Sequence, residues 1–178
     1  MSLTDALTGL ANRCRFEEVS VKAWEMSQRT GRPPSLLVVD ADHFKRYNDR
    51  QGHAVGDEVL NGLARCLSAG VHRPDDLVAR VGGEGFAILL PDTDREGAMR
   101  IAGKVHETVA TLAVPSAGVE AGAVTVSVGV AVEDGSEEMG DLYRRADAAL
   151  YEAKDAGRNQ TCVAISADLD TACSRVAA

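Results

Sequence analysis

The chain has 178 residues, 45% of them hydrophobic, and a formal net charge of −8. That length suits one domain with a full core, or one domain and an appendage. The acidic balance argues against a general nucleic-acid surface, since phosphate backbones attract basic faces; a mononucleotide can still be held by a metal and a few local cations.

Asp5 to Arg13 combines turn formers with small apolar residues ahead of a helix, with Asn12 as its N-cap. Phe16, Val19, Ala23 and Met26 then fall at helical spacing through about Arg29. Gly31-Arg32-Pro33-Pro34 stops that helix and extends the chain. Ser35 to Asp40 is continuously apolar up to its last residue and reads as a buried strand. It ends in Asp40-Ala41-Asp42, which brings two carboxylates to the strand's C-terminal edge, where ligands bind in α/β sheets. His43 to Asn48 reads as a short helix whose free N–H groups favour phosphate oxygens, with Lys45 one turn in. Asp42 reads equally well as a cap of that helix.

Gly52 to Gly56 reads as a loop, and Asp57 opens an amphipathic helix bearing Val59, Leu60, Leu63, Ala64 and Leu67 on one face. After the polar turn Arg73-Pro74-Asp75-Asp76, residues Leu77 to Pro91 form two apolar runs around Gly82-Gly83-Glu84-Gly85. That is the pattern of a β-hairpin whose tip offers Glu84. Gly82 and Gly83 carry no Cβ, so a bulky ligand could lie against bare backbone there. Taken alone, an ordinary Gly-rich hairpin is the plainer reading.

Asp92-Thr93-Asp94 caps a helix with Ala98, Ile101, Ala102, Val105 and Val109 on its apolar face. Val124 to Val132 alternates as a half-buried strand. Met139 to Ala156 is a further helix, ended by Gly157. Thr161 to Ala164 is a weak final strand, and residues 166–178 form a tail, either loose helix or disorder, behind a single domain spanning 1–165. The order of elements predicts an α/β (α+β) domain with helices packed on a central, largely antiparallel sheet.

Cys14, Cys66, Cys162 and Cys173 are scattered without a CxxC pair and read as reduced thiols of a cytosolic protein. The longest apolar run, Ala123 to Val132, is too short to cross a bilayer. No signal peptide opens the chain, and Met1-Ser2-Leu3 is compatible with a leader joined to a piece of a longer protein. Trp24 and Tyr143 read as packing residues, and Arg15, Arg144 and Arg145 as solvated.

Asp40, Asp42 and Glu84 would leave neighbouring turns beside a phosphate-friendly helix start. Mg²⁺ takes a few carboxylates together with substrate phosphates and waters, so a magnesium–nucleotide site is one chemistry this set allows.

Five motifs in order then carry a resemblance. They are Asp5-x-Leu7-Thr8-Gly9-Leu10-x-Asn12-Arg13; Asp40-x-Asp42-His43-Phe44-Lys45-x-x-Asn48-Asp49; Gly52-His53-x-x-Gly56-Asp57-x-Val59-Leu60; Arg80-Val81-Gly82-Gly83-Glu84-Gly85-Phe86; and Tyr151-x-Ala153-Lys154-x-x-Gly157-Arg158-Asn159. From Asp5 to about Val163 the chain resembles the GGDEF-domain family, the bacterial diguanylate cyclases.

The resemblance implies a palm-like nucleotidyl cyclase fold that joins two GTP molecules into cyclic di-GMP with release of two pyrophosphates. It implies Mg²⁺ or Mn²⁺ held by Asp40, Glu84 and the Ala41 carbonyl, with Asp40, Glu84 and Lys45 as catalytic residues. Asn48 and Asp57 look like guanine readers, and Asp57 suits the N–H edge that adenine lacks. Phe44, Lys45, Gly82, Gly83, Lys154 and Arg158 look like phosphate holders. Arg73-x-x-Asp76 matches the family's inhibitory product site, with Arg100 and Lys104 as a second contact. Family members act as homodimers beneath an upstream sensory domain, in the cytoplasm. No nucleic-acid or membrane contact is implied for this segment. His43 and His53 are read as structural, because this chemistry needs no histidine, and Asp5, Asn12 and Arg13 as a hinge and packing motif.

One position departs from the pattern. The signature has two consecutive acids before Phe, and Gly85 replaces the second. An active cyclase, slowed by that loss, is the first expectation. A receptor that binds GTP or cyclic di-GMP without turnover is the second.

Overall fold

The central strand sets the architecture. In β1 (Ser35–Ala41), Leu37, Val39 and Ala41 join one apolar cluster while Leu36 and Val38 join another. A strand buried on both faces must be flanked by helices on both, and its continuous apolar sequence reflects that demand. The computed structural model describes residues 2–114, 122–135, 137–164 and 171–175.

β1 pairs antiparallel with β3 (Gly85–Leu90) on one side and β4 (Val126–Val132) on the other. β2 (Leu77–Gly82) closes the hairpin with β3, while β5 (Gln160–Ala164) runs parallel to β4 and β6 (Thr171–Arg175) antiparallel to β5. The sheet order is β2-β3-β1-β4-β5-β6. The mostly antiparallel sheet flanked by helices is as expected.

Helices α3 (His53–Ala69) and α4 (Arg95–Ala110) cover one face, with Leu63, Leu67, Ala102 and Val105 in its cluster. Helices α1 (Arg13–Thr30) and α5 (Met139–Asp155) cover the other through Phe16, Leu142, Ala146 and Ala149. The short α2 (Phe44–Gln51) leaves the sheet edge directly after β1. Two of the expected caps are present. Asn12 accepts from the Arg15 N–H at 3.0 Å, and Asp94 from that of Gly97 at 2.8 Å. At Gly129 a Cβ would lie 2.0 Å from the Ala146 carbonyl oxygen, so glycine is what lets α5 lie directly on β4.

Several expectations need correction. Residues 53–56 are helical, because α3 starts at His53 and Gly56 sits inside it. β4 begins at Val126 rather than Val124. Thr171–Arg175 is a strand on β5 rather than loose helix or disorder; the remainder of the tail lies outside the described residues. Cys162 is disulfide-bonded, contrary to four reduced thiols, and lies opposite Cys173 in the β5–β6 register. Arg145 is buried, not solvated; it forms an ion pair with Glu137 and donates to the Val132 carbonyl at 2.5 Å. Trp24 packs as expected and donates to the Glu137 carbonyl at 2.9 Å. Among the described residues, no helix is long and apolar enough to cross a membrane.

Candidate active site

β1 delivers Asp40 to the sheet edge, where the register sets it opposite Gly85 at the start of β3. Glu84 precedes Gly85 at the hairpin tip, and the Ala41 N–H donates to the Glu84 carbonyl at 3.3 Å. The two acids predicted as metal ligands are therefore held together by antiparallel pairing, a rigid way to converge two side chains. The Asp40 side chain is only 13% exposed. Burial raises its pKa, an ion pair with Lys154 opposes this, and the charges of Glu84 and Asp42 add to the rise.

Lys154 comes from the last turn of α5 and Arg158 from the turn that follows. Both line a cavity of about 380 Å³ together with Asp40, Glu84, Phe44 and Lys45. Phe44 and Lys45 open α2, whose N-cap is His43 at φ 54° and provides no side-chain hydrogen bond. The first-turn N–H groups of α2 thus remain available for an anion. Among the predicted phosphate holders, Gly82 and Gly83 do not line this cavity, but a Cβ at either would meet nothing within 4 Å.

Of the predicted guanine readers, Asn48 lies on α2 and Asp57 on α3. Asn48 Oδ1 is buried and has no hydrogen-bond partner. It sits against Gly56, where a Cβ would be 1.7 Å away, so Gly56 is a cradle for this carboxamide. The next residue, Asp57, is exposed. The exposed Asp57 carboxylate suits a ligand edge rich in N–H donors.

Asp42 is not a helix cap. Its carboxylate accepts from Thr125 Oγ1 at 2.7 Å, Ser127 Oγ at 2.6 Å and the Asn159 N–H at 3.0 Å. Donors from β4 and from the turn after α5 therefore outcompete the start of α2.

Arg80 reaches the site indirectly, a role the sequence reading missed. Its Nε donates to the Gly83 carbonyl at 2.9 Å, and its Nη1 to both Asp5 carboxylate oxygens at 3.2 Å. Burial pushes the Asp5 pKa up, but hydrogen bonds from Thr8 and Arg80 outweigh it and hold the group below the usual range. An arginine on a strand otherwise lined with apolar residues was the available signal.

Arg73 and Asp76 lie apart from this cavity. Arg73 Nη2 donates to Asp76 Oδ1 at 2.7 Å, to the Pro91 carbonyl at 2.9 Å and to Thr93 Oγ1 at 2.6 Å. Both residues line a second cavity of about 500 Å³ with Arg32 and Arg100. Lys104 is elsewhere, paired with Glu107.

No group of three or more His, Cys, Asp or Glu able to hold a metal occurs among the described residues. Two carboxylates and a neighbouring carbonyl still fit a magnesium ion that keeps waters and takes its remaining ligands from phosphates. The half-buried pair Asp40 and Glu84, lining one cavity, is thus a fitting donor set.

Residues 2–160 match the family model described as diguanylate cyclase, GGDEF domain. Among curated proteins, the diguanylate cyclase DgcM of Escherichia coli (strain K12) is 41% identical over 160 residues, covering 90% of this chain and 38% of its own length. The chain thus spans well under half of that relative. Among solved structures, diguanylate cyclase SiaD of Pseudomonas aeruginosa, crystallised with its activator SiaC, aligns with a TM-score of 0.86 at 42% identity, covering 92% of this chain and 62% of that one. The GGDEF domain of DgcB from Caulobacter crescentus, in complex with c-di-GMP, aligns with a TM-score of 0.87 at 35% identity, covering 93% and 98%.

Proposed function

Because the chain belongs to the diguanylate cyclase GGDEF-domain family, we propose that it condenses two GTP molecules into cyclic di-GMP and two pyrophosphates. The observation that carries this reading is that Asp40 at the end of β1 and Glu84 at the hairpin tip line one cavity with Lys154 and Arg158.

Asp40, Glu84 and the Ala41 carbonyl would hold Mg²⁺ or Mn²⁺. When bound, the ion supplies positive charge at the α-phosphate and lowers the pKa of the attacking 3′-hydroxyl. Lys45, Lys154, Arg158 and the backbone at Phe44, Gly82 and Gly83 would hold the phosphates, while Asn48 and Asp57 read guanine. Each 3′-oxygen bonds to the partner nucleotide's α-phosphorus, the bond to pyrophosphate breaks, and the hydroxyl proton leaves to solvent. Because each of two GTP molecules must face the other, the working form is a homodimer. Positioning and charge neutralisation supply the rate. An upstream sensory segment and a cytoplasmic setting complete this reading.

The cavity around Arg73 and Asp76 supports a second part of it, product inhibition by cyclic di-GMP bound there. Two further arginines, Arg32 and Arg100, suit its phosphates. The same cavity favours the alternative of a receptor that binds cyclic di-GMP without making it.

Mass analysis of products after long incubation of concentrated protein with GTP and Mg²⁺ separates the two. Cyclic di-GMP supports the cyclase, and its absence at every protein concentration overturns it.

A further inference from the structure

Asp42 stands two residues beyond Asp40, in a cavity proposed to take triphosphate, where a free carboxylate would repel the ligand. Its lone pairs are instead directed at Thr125 Oγ1, Ser127 Oγ and the Asn159 N–H. The first two donors lie at the start of β4 and just ahead of it, and the third in the turn after α5.

That turn is strained. Gly157 has φ 116°, Arg158 φ 64° and Asn159 φ 47°, so two non-glycine residues in succession occupy the left-handed region. Such geometry persists only where its surroundings over-determine it. Two ties do so: the Arg158 N–H donates to the Ala153 carbonyl at 2.9 Å, and the Asn159 N–H donates to Asp42. Between them the Arg158 side chain lines the same cavity as Asp40 and Glu84.

We propose that Asp42 is a positioning residue for phosphate binding. Its carboxylate pins the 157–159 turn to the end of β1, so that Arg158 faces the metal-binding acids. This role presupposes the cyclase reading, since the direction of Arg158 matters only if it meets phosphate.

The test uses Asp42→Ala and Asp42→Asn, each alone and combined with Arg158→Ala. Two quantities are read: amide hydrogen exchange at Asn159, and binding of a non-hydrolysable GTP analogue with Mg²⁺. In the unmodified chain the Asn159 amide should exchange slowly although its turn is exposed. In Asp42→Ala it should exchange as an open amide, and analogue affinity should fall roughly 10–100-fold, the usual effect of losing a supporting partner. In the Arg158→Ala background the same change should alter affinity by less than about twofold. Asp42→Asn can still accept from Asn159 through Oδ1 while Nδ2 donates to Ser127, so it should keep the slow exchange and bind within about fivefold of the original.

Fast exchange at Asn159 in the unmodified chain overturns the role, as does a fully additive loss in the double variant. If Asp42→Ala does not fold, exchange in the unmodified chain and in Asp42→Asn decides. Failure of the unmodified chain to bind the analogue overturns the cyclase reading and the positioning role with it; retained binding with an unprotected Asn159 overturns the role alone.

Discussion

Gly56→Ala separates stability from recognition. The new Cβ would fall 1.7 Å from Asn48 Oδ1, 2.9 Å from its Cγ and 3.3 Å from Phe44 Cζ. The first two distances are far inside contact, so the carboxamide must rotate out of its cradle. An off-rotamer side chain costs about 0.5–1.5 kcal/mol, and replacing a helical glycine by alanine returns up to about 1 kcal/mol. Stability should therefore change by less than about 1 kcal/mol, a shift in Tm of no more than about 4 °C. Under the proposed role of Asn48 in reading guanine, its displacement would remove hydrogen bonds of about 1 kcal/mol each, so GTP affinity should fall roughly 5–30-fold. Thermal unfolding and titration with a GTP analogue measure the two effects in one preparation. In an Asn48→Ala background the clash is gone, so Gly56→Ala should leave affinity unchanged and raise Tm. Unaltered GTP affinity in the single variant would refute the cradle.

Gly85→Glu restores the missing acid of the signature. A Cβ there lies 3.9 Å from Asp40 Oδ1 and 3.1 Å from the Gly82 carbonyl, so the side chain faces the metal site after a small shift of the hairpin tip. Opposite Asp40 in the β1–β3 register, the new charge should destabilise the metal-free protein by about 0.2–1 kcal/mol, and Mg²⁺ should reverse the loss; a Tm insensitive to Mg²⁺ would count against it. Asp40→Asn tests the pH linkage. Because the Asp40 pKa is raised in the fold, its ionised form costs stability above that raised value and nothing below about 3.8. The variant should therefore melt higher than the original at neutral pH without metal, with the gain shrinking towards pH 4, and should make no product; an equal gain at pH 3 would show that charge is not the cause. Arg73→Ala should raise the cyclic di-GMP concentration for half-inhibition at least about tenfold, as expected from losing a hydrogen bond to charge, and inhibition kinetics with added product check it.

The central part of the fold was legible because its signals are local. Continuous apolar residues before Asp40 specify a doubly covered strand, and alternation specifies β4. Boundaries failed where one residue serves a contact rather than its own segment. Gly56 looks like a break in the sequence, and only the Asn48 carboxamide resting on it explains a glycine inside α3. Asp42 looks like a cap, and only the arrival of Thr125, Ser127 and Asn159 from distant positions diverts it. Arg145, inside α5, pairs with Glu137 just ahead of that helix, a contact the residue pattern does not signal. The Asp42 miss depends on where remote segments return, whereas those at Gly56 and Arg145 depend on side chains eight residues away.

The Asp5–Arg80–Gly83 chain of hydrogen bonds separates two boundaries that usually coincide. The first fully buried side chain is Phe16, so a fragment trimmed to begin at Asn12 would keep the buried core and the α1 cap and lose only the partly buried Leu7, Leu10 and Ala11 that pack against that core. It would lack Asp5, leaving Arg80 without its carboxylate partner and the hairpin carrying Glu84 without its outermost brace. The minimum that folds and the minimum that works should therefore be different lengths of this chain. A trimmed fragment that unfolds cooperatively but turns over poorly would be the mark of that difference, and equal turnover per folded molecule would show that the brace is dispensable.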